Sequence, residues 1–273
     1  MDNRTPERVR YHYEVERELS DRLRGASKED RAQVYGEVYD ELFRRVEDHP
    51  QLAIDHAQRV AQAQSKLRFV ARFLTKSSTL MEIGAGDCVF SRLAAPLVER
   101  AIGVDVSRVI TSEMDDVSNF DLIISDGTTL PIESASVDVA YSDQLMEHLH
   151  PDDAAAQLYE IARVLRPGGK YVCVTPNRVT GPHDVSRFFD DHATGFHLRE
   201  YTAEDLGGLF LDSGFASVEF FAGGRGRYVR LPSGFAARSE SAFAKLPEGM
   251  RHRVRDSMAA YALYGLNAVG TVA

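Results

Sequence analysis

The stretch that most constrains this chain is Thr79 to Ser91, TLMEIGAGDCVFS. Leu80 to Ile83 read as a short buried strand, Gly84-Ala85-Gly86 as a tight turn, and a helix is predicted from near Cys88. Glycine suits the turn because it tolerates positive φ and lets a ligand approach the backbone. A strand that passes through such a bend into a helix belongs to an open α/β sheet, where ligands bind outside the carboxyl ends of the strands.

The pattern downstream agrees. Further strands are predicted at Ala101–Val104, Asp121–Ser125, Val137–Ser142 and Lys170–Thr175, the last entered through the turn Arg166-Pro167-Gly168-Gly169. A sixth spans Phe215–Phe221 and a seventh Leu266–Val272. Short β-rich runs alternating with helical patterns imply a mainly parallel sheet with helices on both faces. Six strands are expected parallel and the last antiparallel. Before the sheet, residues 1–77 read as helices. Val34, Val38, Leu42 and Val46 form one apolar stripe, ended at His49-Pro50, and another helix is expected from about Leu52 to Leu74. This extension is expected to act as a lid on a core of residues 78–273. Residues 223–264 exceed what a hairpin needs and read as a cap inserted before the last strand.

At 273 residues and 44% apolar content the chain can bury a substantial core. A net charge of −9 argues against gripping nucleic acid through phosphates alone. Cys88 and Cys173 lie in apolar surroundings and read as buried, reduced thiols. There is no apolar run of about 20 residues for a membrane span and no signal peptide pattern, so cytoplasmic residence is expected. The oligomeric state is left open, a homodimer included.

The glycine turn alone allows two kinds of nucleotide ligand. A pyrophosphate-binding fingerprint wants a third glycine at position 89, which is Val89. What stands here instead is Glu82 before Gly84 and Gly86, with Asp105 and Asp126 after the next two strands. Carboxylates accept from ribose hydroxyls and an adenine amino group and would repel a pyrophosphate. They suit a cationic nucleoside.

The segments MEIGAGDCVF, AIGVDVS, SDGTTLPIESASVDVAYSDQLMEHL and VLRPGGKYVCVTPN, in this order, resemble a class I S-adenosylmethionine-dependent methyltransferase of the type-11-like group over residues of about 78 to 220. The resemblance implies a Rossmann-like fold and S-adenosyl-L-methionine as cofactor. It puts Glu82, Gly84 and Gly86 around the methionine part, Asp105 at the ribose, and Asp126 and Gly127 at the adenine. Ser142 and Asp143 would lie near the sulfonium, with Val106 also among the cofactor contacts. Cys88 replaces the third glycine of the family's usual first motif.

After the fourth strand, Gln144, Glu147 and His148 are predicted to share one helical face. With His197 they could hold a divalent cation. This resembles two metal-dependent branches, the quinone-pathway O-methyltransferases and the small-RNA 3′-terminal 2′-O-methyltransferases, which carry Glu-x-x-Glu-His here. Glu147, His148 and His197 match, and Gln144 replaces the first glutamate. The same Glu-His-Leu run occurs in methyltransferases without metal, where it packs beside the cofactor. The expectation is Mg²⁺ or Mn²⁺ holding vicinal hydroxyls of the acceptor, with His148, His192 or His197 as general base. A polar, polyhydroxylated small molecule such as a saccharide is the expected acceptor. An RNA would want a longer basic channel than Arg225, Arg227 and Arg230 provide, and a quinone a basic amphipathic membrane helix.

Overall fold

The computed structural model describes residues 3–106, 117–255 and 257–273. Ser107, the last residue of the AIGVDVS segment, lies outside them.

Three helices open the chain, and each starts at a side-chain cap. In α1 (Pro6–Gly25) Thr5 accepts from Arg8 N, with Pro6 in the first turn. In α2 (Lys28–Arg45) Ser27 accepts from Asp30 N. In α3 (His56–Val70) Asp55 and Gln58 form a capping box. The third helix thus begins four residues later than expected. Pro50–Ala53 makes a separate 3-10 turn, capped by His49.

The sheet strands are β1 (Thr79–Ile83), β2 (Arg100–Asp105), β3 (Phe120–Ile124), β4 (Val137–Asp143), β5 (Leu165–Thr175), β6 (Phe215–Gly224), β7 (Arg227–Arg230) and β8 (Leu266–Val272). Their order is β3-β2-β1-β4-β5-β8-β6-β7. The first five pair in parallel, and β8 runs antiparallel to both β5 and β6. The expected architecture is present with one strand more: β7 folds back antiparallel on β6, because Gly223 to Gly226 make a tight reversal where the inserted cap was expected to begin. In β5 the residues between Leu165 and Lys170 bulge out while its two ends pair with β4, so the Pro-Gly-Gly turn is absorbed into the strand.

Alternate residues of each strand feed opposite cores, as the period of two requires. Met81, Ala140 and Cys173 join α1, α2, α5 (Pro151–Val164) and α6 (Ala203–Asp212) on one face. Leu80, Val139 and Val172 join α3 and α4 (Val89–Ala94) on the other. Both cysteines are free, buried thiols. Beyond β7 come α7 (Phe235–Ala244), α8 (Glu248–Arg255) and α9 (Met258–Tyr264), with α7 against α6 and α9 against β6. Among the described residues no helix is long and apolar enough to cross a membrane.

The sheet order reverses between β1 and β4, and a crevice opens at such a switch point. One buried ion pair fixes α2 beside it. Arg31 Nε and Nη2 donate to the two Asp153 carboxylate oxygens at 2.7 and 2.8 Å. Tyr35 OH donates to Asp153 and accepts from His150 N. Removing one partner of a buried pair strands the other charge. Asp153→Ala is therefore expected to cost about 3–5 kcal/mol in urea unfolding, with a lower midpoint and an unchanged m-value.

Candidate functional site

The turn after β1 is built as the glycines require. Gly84 and Gly86 sit at φ 71° and 50°, in the left-handed region. Gly84 N and Ala85 N donate to Val104 O, so the turn leans over the tip of β2. Gly86 N donates to Asp105 Oδ2 at 2.7 Å. A Cβ on Gly86 would point into open space, leaving room for a ligand, whereas one on Gly84 would meet Leu145 at 3.1 Å. Cys88 also takes a left-handed φ of 57°, the conformation for which a glycine is favoured.

Glu82 lies beneath this turn. Its Oε2 accepts from Ser91 N and Ser91 Oγ, so it caps α4 from the strand. Burial pushes its carboxyl up to about 8, against the pull of the two Ser91 hydrogen bonds. Asp126 is exposed and accepts from Thr128 N and Thr129 N. Those hydrogen bonds hold its pKa below the ordinary value despite partial burial. Gly127 follows at φ 89° and its carbonyl accepts from Gln157. Val106, half-buried, lies against the spot a Gly127 Cβ would occupy. The last two expected cofactor residues are differently engaged. Asp143 pairs with Lys66 of α3. Ser142 is fully buried and bonds Tyr171 OH at 2.6 Å, so its hydroxyl faces the core.

Beside β4 a cavity of ≈ 330 Å³ opens between α1, α2 and the loop of residues 183–197. Gln144, His148 and His197 line it, and Glu147 lies behind them. The expected helical face is corrected here. Gln144 N donates to Val174 O, extending the pairing of β4 with β5, and the chain then reverses at Gln144, with φ 53°. Only Met146–His148 form a turn, of 3-10 type. Gln144 is therefore not stacked above Glu147 and His148. His192 is exposed and is not among the cavity's lining residues.

Glu147, His148 and His197 each offer one ligand atom within 4.8 Å of the others. Thr175 Oγ1 donates to Glu147 Oε2 at 2.8 Å. The buried Oε1 has no hydrogen-bond partner among the described residues. Burial pushes this carboxyl up to about 7. His148 Nδ1 lies 2.9 Å from Phe196 O, a carbonyl that can only accept. The proton is therefore on Nδ1, and Nε2 carries a lone pair. His197 Nδ1 donates likewise to Glu200 Oε1 at 2.8 Å. Burial brings His148 down to about 3, and the charge of His197 adds to this. Burial also pulls His197 down, but Glu200, Glu147 and Asp184 overcome it and lift His197 to about 9.

A second cluster, His12, Glu16 and His49, lines the same cavity and was missed in the sequence. Its polarity is opposite. Arg4 Nη1 donates to His12 Nδ1, and Gln51 N donates to His49 Nδ1. The ring protons are thus on Nε2, pointing at the Glu16 carboxylate 2.7 and 3.7 Å away. Glu16 is buried, which raises its pKa, yet the two imidazoles hold it down to about 2. This cluster binds a negative charge and has no lone pairs turned toward a cation. Tyr39 packs edge-on against His148 and Phe196. Burial, then the charges of Glu147, Glu16 and Asp105, push its phenol up.

Residues 81–173 match the family described as a methyltransferase domain. Over those residues the chain resembles the class I S-adenosylmethionine-dependent methyltransferases. It is 33% identical over 140 residues to the "Probable S-adenosylmethionine-dependent methyltransferase" of Mycobacterium tuberculosis (strain ATCC 25618 / H37Rv), covering 51% of this chain and 49% of that protein. The chain thus spans about half the length of the curated relatives it matches. Its fold resembles that of a SAM-dependent methyltransferase from Archaeoglobus fulgidus, at TM-score 0.51 and 15% identity over 78% of this chain and 94% of that one. It also resembles Haemonchus contortus phosphoethanolamine N-methyltransferase 1, solved with phosphoethanolamine and S-adenosylhomocysteine, at TM-score 0.56 and 13% identity, over 88% and 50%.

The methyltransferase turn carries a pH signature. The Glu82 carboxyl ionises near 4.5 in its ordinary state and near 8 when folded. Between those values the folded state holds the extra proton, so stability falls as pH rises. Glu82→Gln keeps an oxygen for Ser91 and has no proton to lose. Wild type is expected to lose, relative to this variant, on the order of a few kcal/mol of unfolding free energy from pH 5 to pH 8, and no more above that, by urea denaturation across the range.

Proposed function

We propose that this chain is an S-adenosylmethionine-dependent O-methyltransferase acting on a hydroxyl of a small, polyhydroxylated acceptor, a saccharide in class, bound in the histidine-lined cavity. We further propose that a divalent cation is held there by Glu147, His148 and His197. The observation that carries this reading is the convergence of the orphaned Glu147 Oε1 with two imidazoles, His148 with a lone pair on Nε2 and His197 with a ring proton that a bound cation would displace. Each ring is oriented by an acceptor behind it, as in metal sites whose outer partners fix the tautomer.

The cofactor residues fit their family roles at the turn. Supporting this are the open space beside Gly86 Cα and the carboxylate of Asp105 at the tip of β2, next to the turn, which could accept from ribose hydroxyls. The bound cofactor supplies an electrophilic methyl on a sulfonium. The chain's own residues bring the acceptor to it: proximity of the reacting atoms, about 3 Å apart, supplies much of the rate. Of the two cations expected, Mn²⁺ suits two imidazoles and one carboxylate better than Mg²⁺, which prefers oxygen ligands. A bound Mn²⁺ would act as a Lewis acid on the acceptor hydroxyl. Gln144 lines the cavity and offers its amide to the acceptor.

The walls support this acceptor class. Histidines, Gln51, Gln144 and Asp184 offer hydrogen bonds, while Tyr39, Phe188 and Phe196 offer flat apolar faces. That mixture suits a sugar ring. The size is at the small end for ligand pockets, which suits a small molecule better than a polymer such as RNA. Residues 1–77 serve as the lid, since α1 and α2 form one side of the cavity.

A second reading has one observation in its favour. Neutral His148, with its lone pair toward the cavity, is competent as a general base without metal.

Two measurements test these readings. Calorimetry with S-adenosylhomocysteine should show binding to wild type and at least about tenfold weaker binding to Asp105→Ala; unchanged affinity would remove the cofactor assignment. Methyl transfer from labelled cofactor to a panel of glycosides, quinols and RNA 3′ ends should favour glycosides, stop in EDTA and recover with Mn²⁺. Full turnover in EDTA, abolished by His148→Ala, would replace the metal with the base.

A further inference from the structure

We propose that Glu16 of α1 is a positioning residue that sets the orientation of His148 and His197, so that the first helix is a working part of the site. This rests on the reading of those two histidines as site residues.

One polar face of α1 grips the loop that carries His197. Tyr13 OH donates to Asp190 Oδ2 at 2.7 Å. Ser20 Oγ donates to Thr194 O, and Arg24 Nη2 donates to His197 O. At the centre, Glu16 Oε2 accepts from Phe196 N at 3.1 Å. That peptide is the joint of the site: the Phe196 carbonyl accepts from His148 Nδ1, and the next residue is His197. The fit is close, since a Cβ on Gly195 would lie 2.5 Å from Glu16 Oε2 and 2.7 Å from Asp184 Oδ2.

The His12–Glu16–His49 cluster now has a purpose. A buried carboxylate is costly unless fully hydrogen-bonded. His12 Nε2–H and the Phe196 N–H donate to Glu16 as an anion, the His49 ring adds a longer electrostatic contact at 3.7 Å, and Arg4 and Gln51 lock both imidazoles in the donating tautomer. A glutamine at position 16 could still accept from Phe196 N. Its amide hydrogens, however, would face ring N–H groups that cannot turn into acceptors without breaking the contacts from Arg4 and Gln51. The charge is therefore required, not only the oxygen.

The test uses the full chain labelled with ¹⁵N-histidine, compared as wild type, Glu16→Gln and Gly195→Ala, the last pressing on the same contact from the loop side. Expected are shifts of the His148 and His197 ring ¹⁵N resonances in both variants, at least tenfold weaker Mn²⁺ binding by electron paramagnetic resonance, and S-adenosylhomocysteine affinity within about twofold of wild type. Unmoved ring resonances in either folded variant would overturn the proposal. So would a parallel loss of S-adenosylhomocysteine affinity, which would mark general damage. Failure of wild type to bind Mn²⁺ would sink the metal reading while the ring shifts still decide this one.

Discussion

The open edge of this sheet depends on carboxylates accepting from backbone N–H groups. Where β1, β2 and β3 end, the chain leaves the ladder and its amides lose their partners. Glu82 takes Ser91 N, Asp105 takes Gly86 N, and Asp126 takes Thr128 N and Thr129 N. Buried or half-buried N–H groups left unpaired would each cost a few kcal/mol. The acids therefore shape the edge before any ligand arrives. Asp126, held below its ordinary pKa, also charges the edge negatively, which suits a cationic nucleoside and opposes a pyrophosphate, whereas Glu82 keeps its proton up to about pH 8. Structure and recognition thus draw on the same side chains.

The second half of the site has no such local logic. It is assembled from α1, α2, the β4 exit and the loop of residues 183–197. The connections are long in sequence: Glu16 to Phe196, Arg24 to His197, Tyr35 to Asp153. Each satisfies a polar group that burial would otherwise penalise. The helices that wall the cavity are held to it by these bonds and by Val15, Leu19, Val38 and Leu42, which share a core with Met81 and Ile83 of β1.

This division explains what could be read from the residues alone. The β1 turn, the acidic strand tips and the five parallel strands are local patterns, so period, glycine and position suffice to find them. Glu147, His148 and His197 were within reach because a family motif marks them. Gln144 was misjudged because β-pairing carries past Asp143 and forces a left-handed reversal, which helical spacing does not anticipate. Strand β7 escaped notice because its two arginines and surrounding glycines look like a loop. His12 and His49 escaped because their partner, Glu16, looks like one more charge on an acidic helix. The one local signal was His12 and Glu16 at i and i+4. Ser142 sits at the right strand end, yet the alternation of the strand turns its hydroxyl toward Tyr171.

The cavity holds two clusters of the same composition in kind, imidazoles with a carboxylate, and composition cannot say which one a cation prefers. The partner on the far ring nitrogen decides it. In His12 and His49 that partner is a donor, so the near nitrogen carries hydrogen and a carboxylate is enclosed. In His148 and His197 it is an acceptor, so the near nitrogen of His148 carries a lone pair, that of His197 carries a proton a cation would displace, and Glu147 Oε1 is left without a hydrogen-bond partner among the described residues. A positive charge completes the second cluster and would disrupt the first. Tyr39, which lines the same cavity, keeps its proton because it is buried and feels the charges of Glu147, Glu16 and Asp105, so it can donate to an acceptor without becoming an anion itself. The order of donors and acceptors, rather than the number of ligating residues, makes one end of the cavity a candidate metal centre and the other its support.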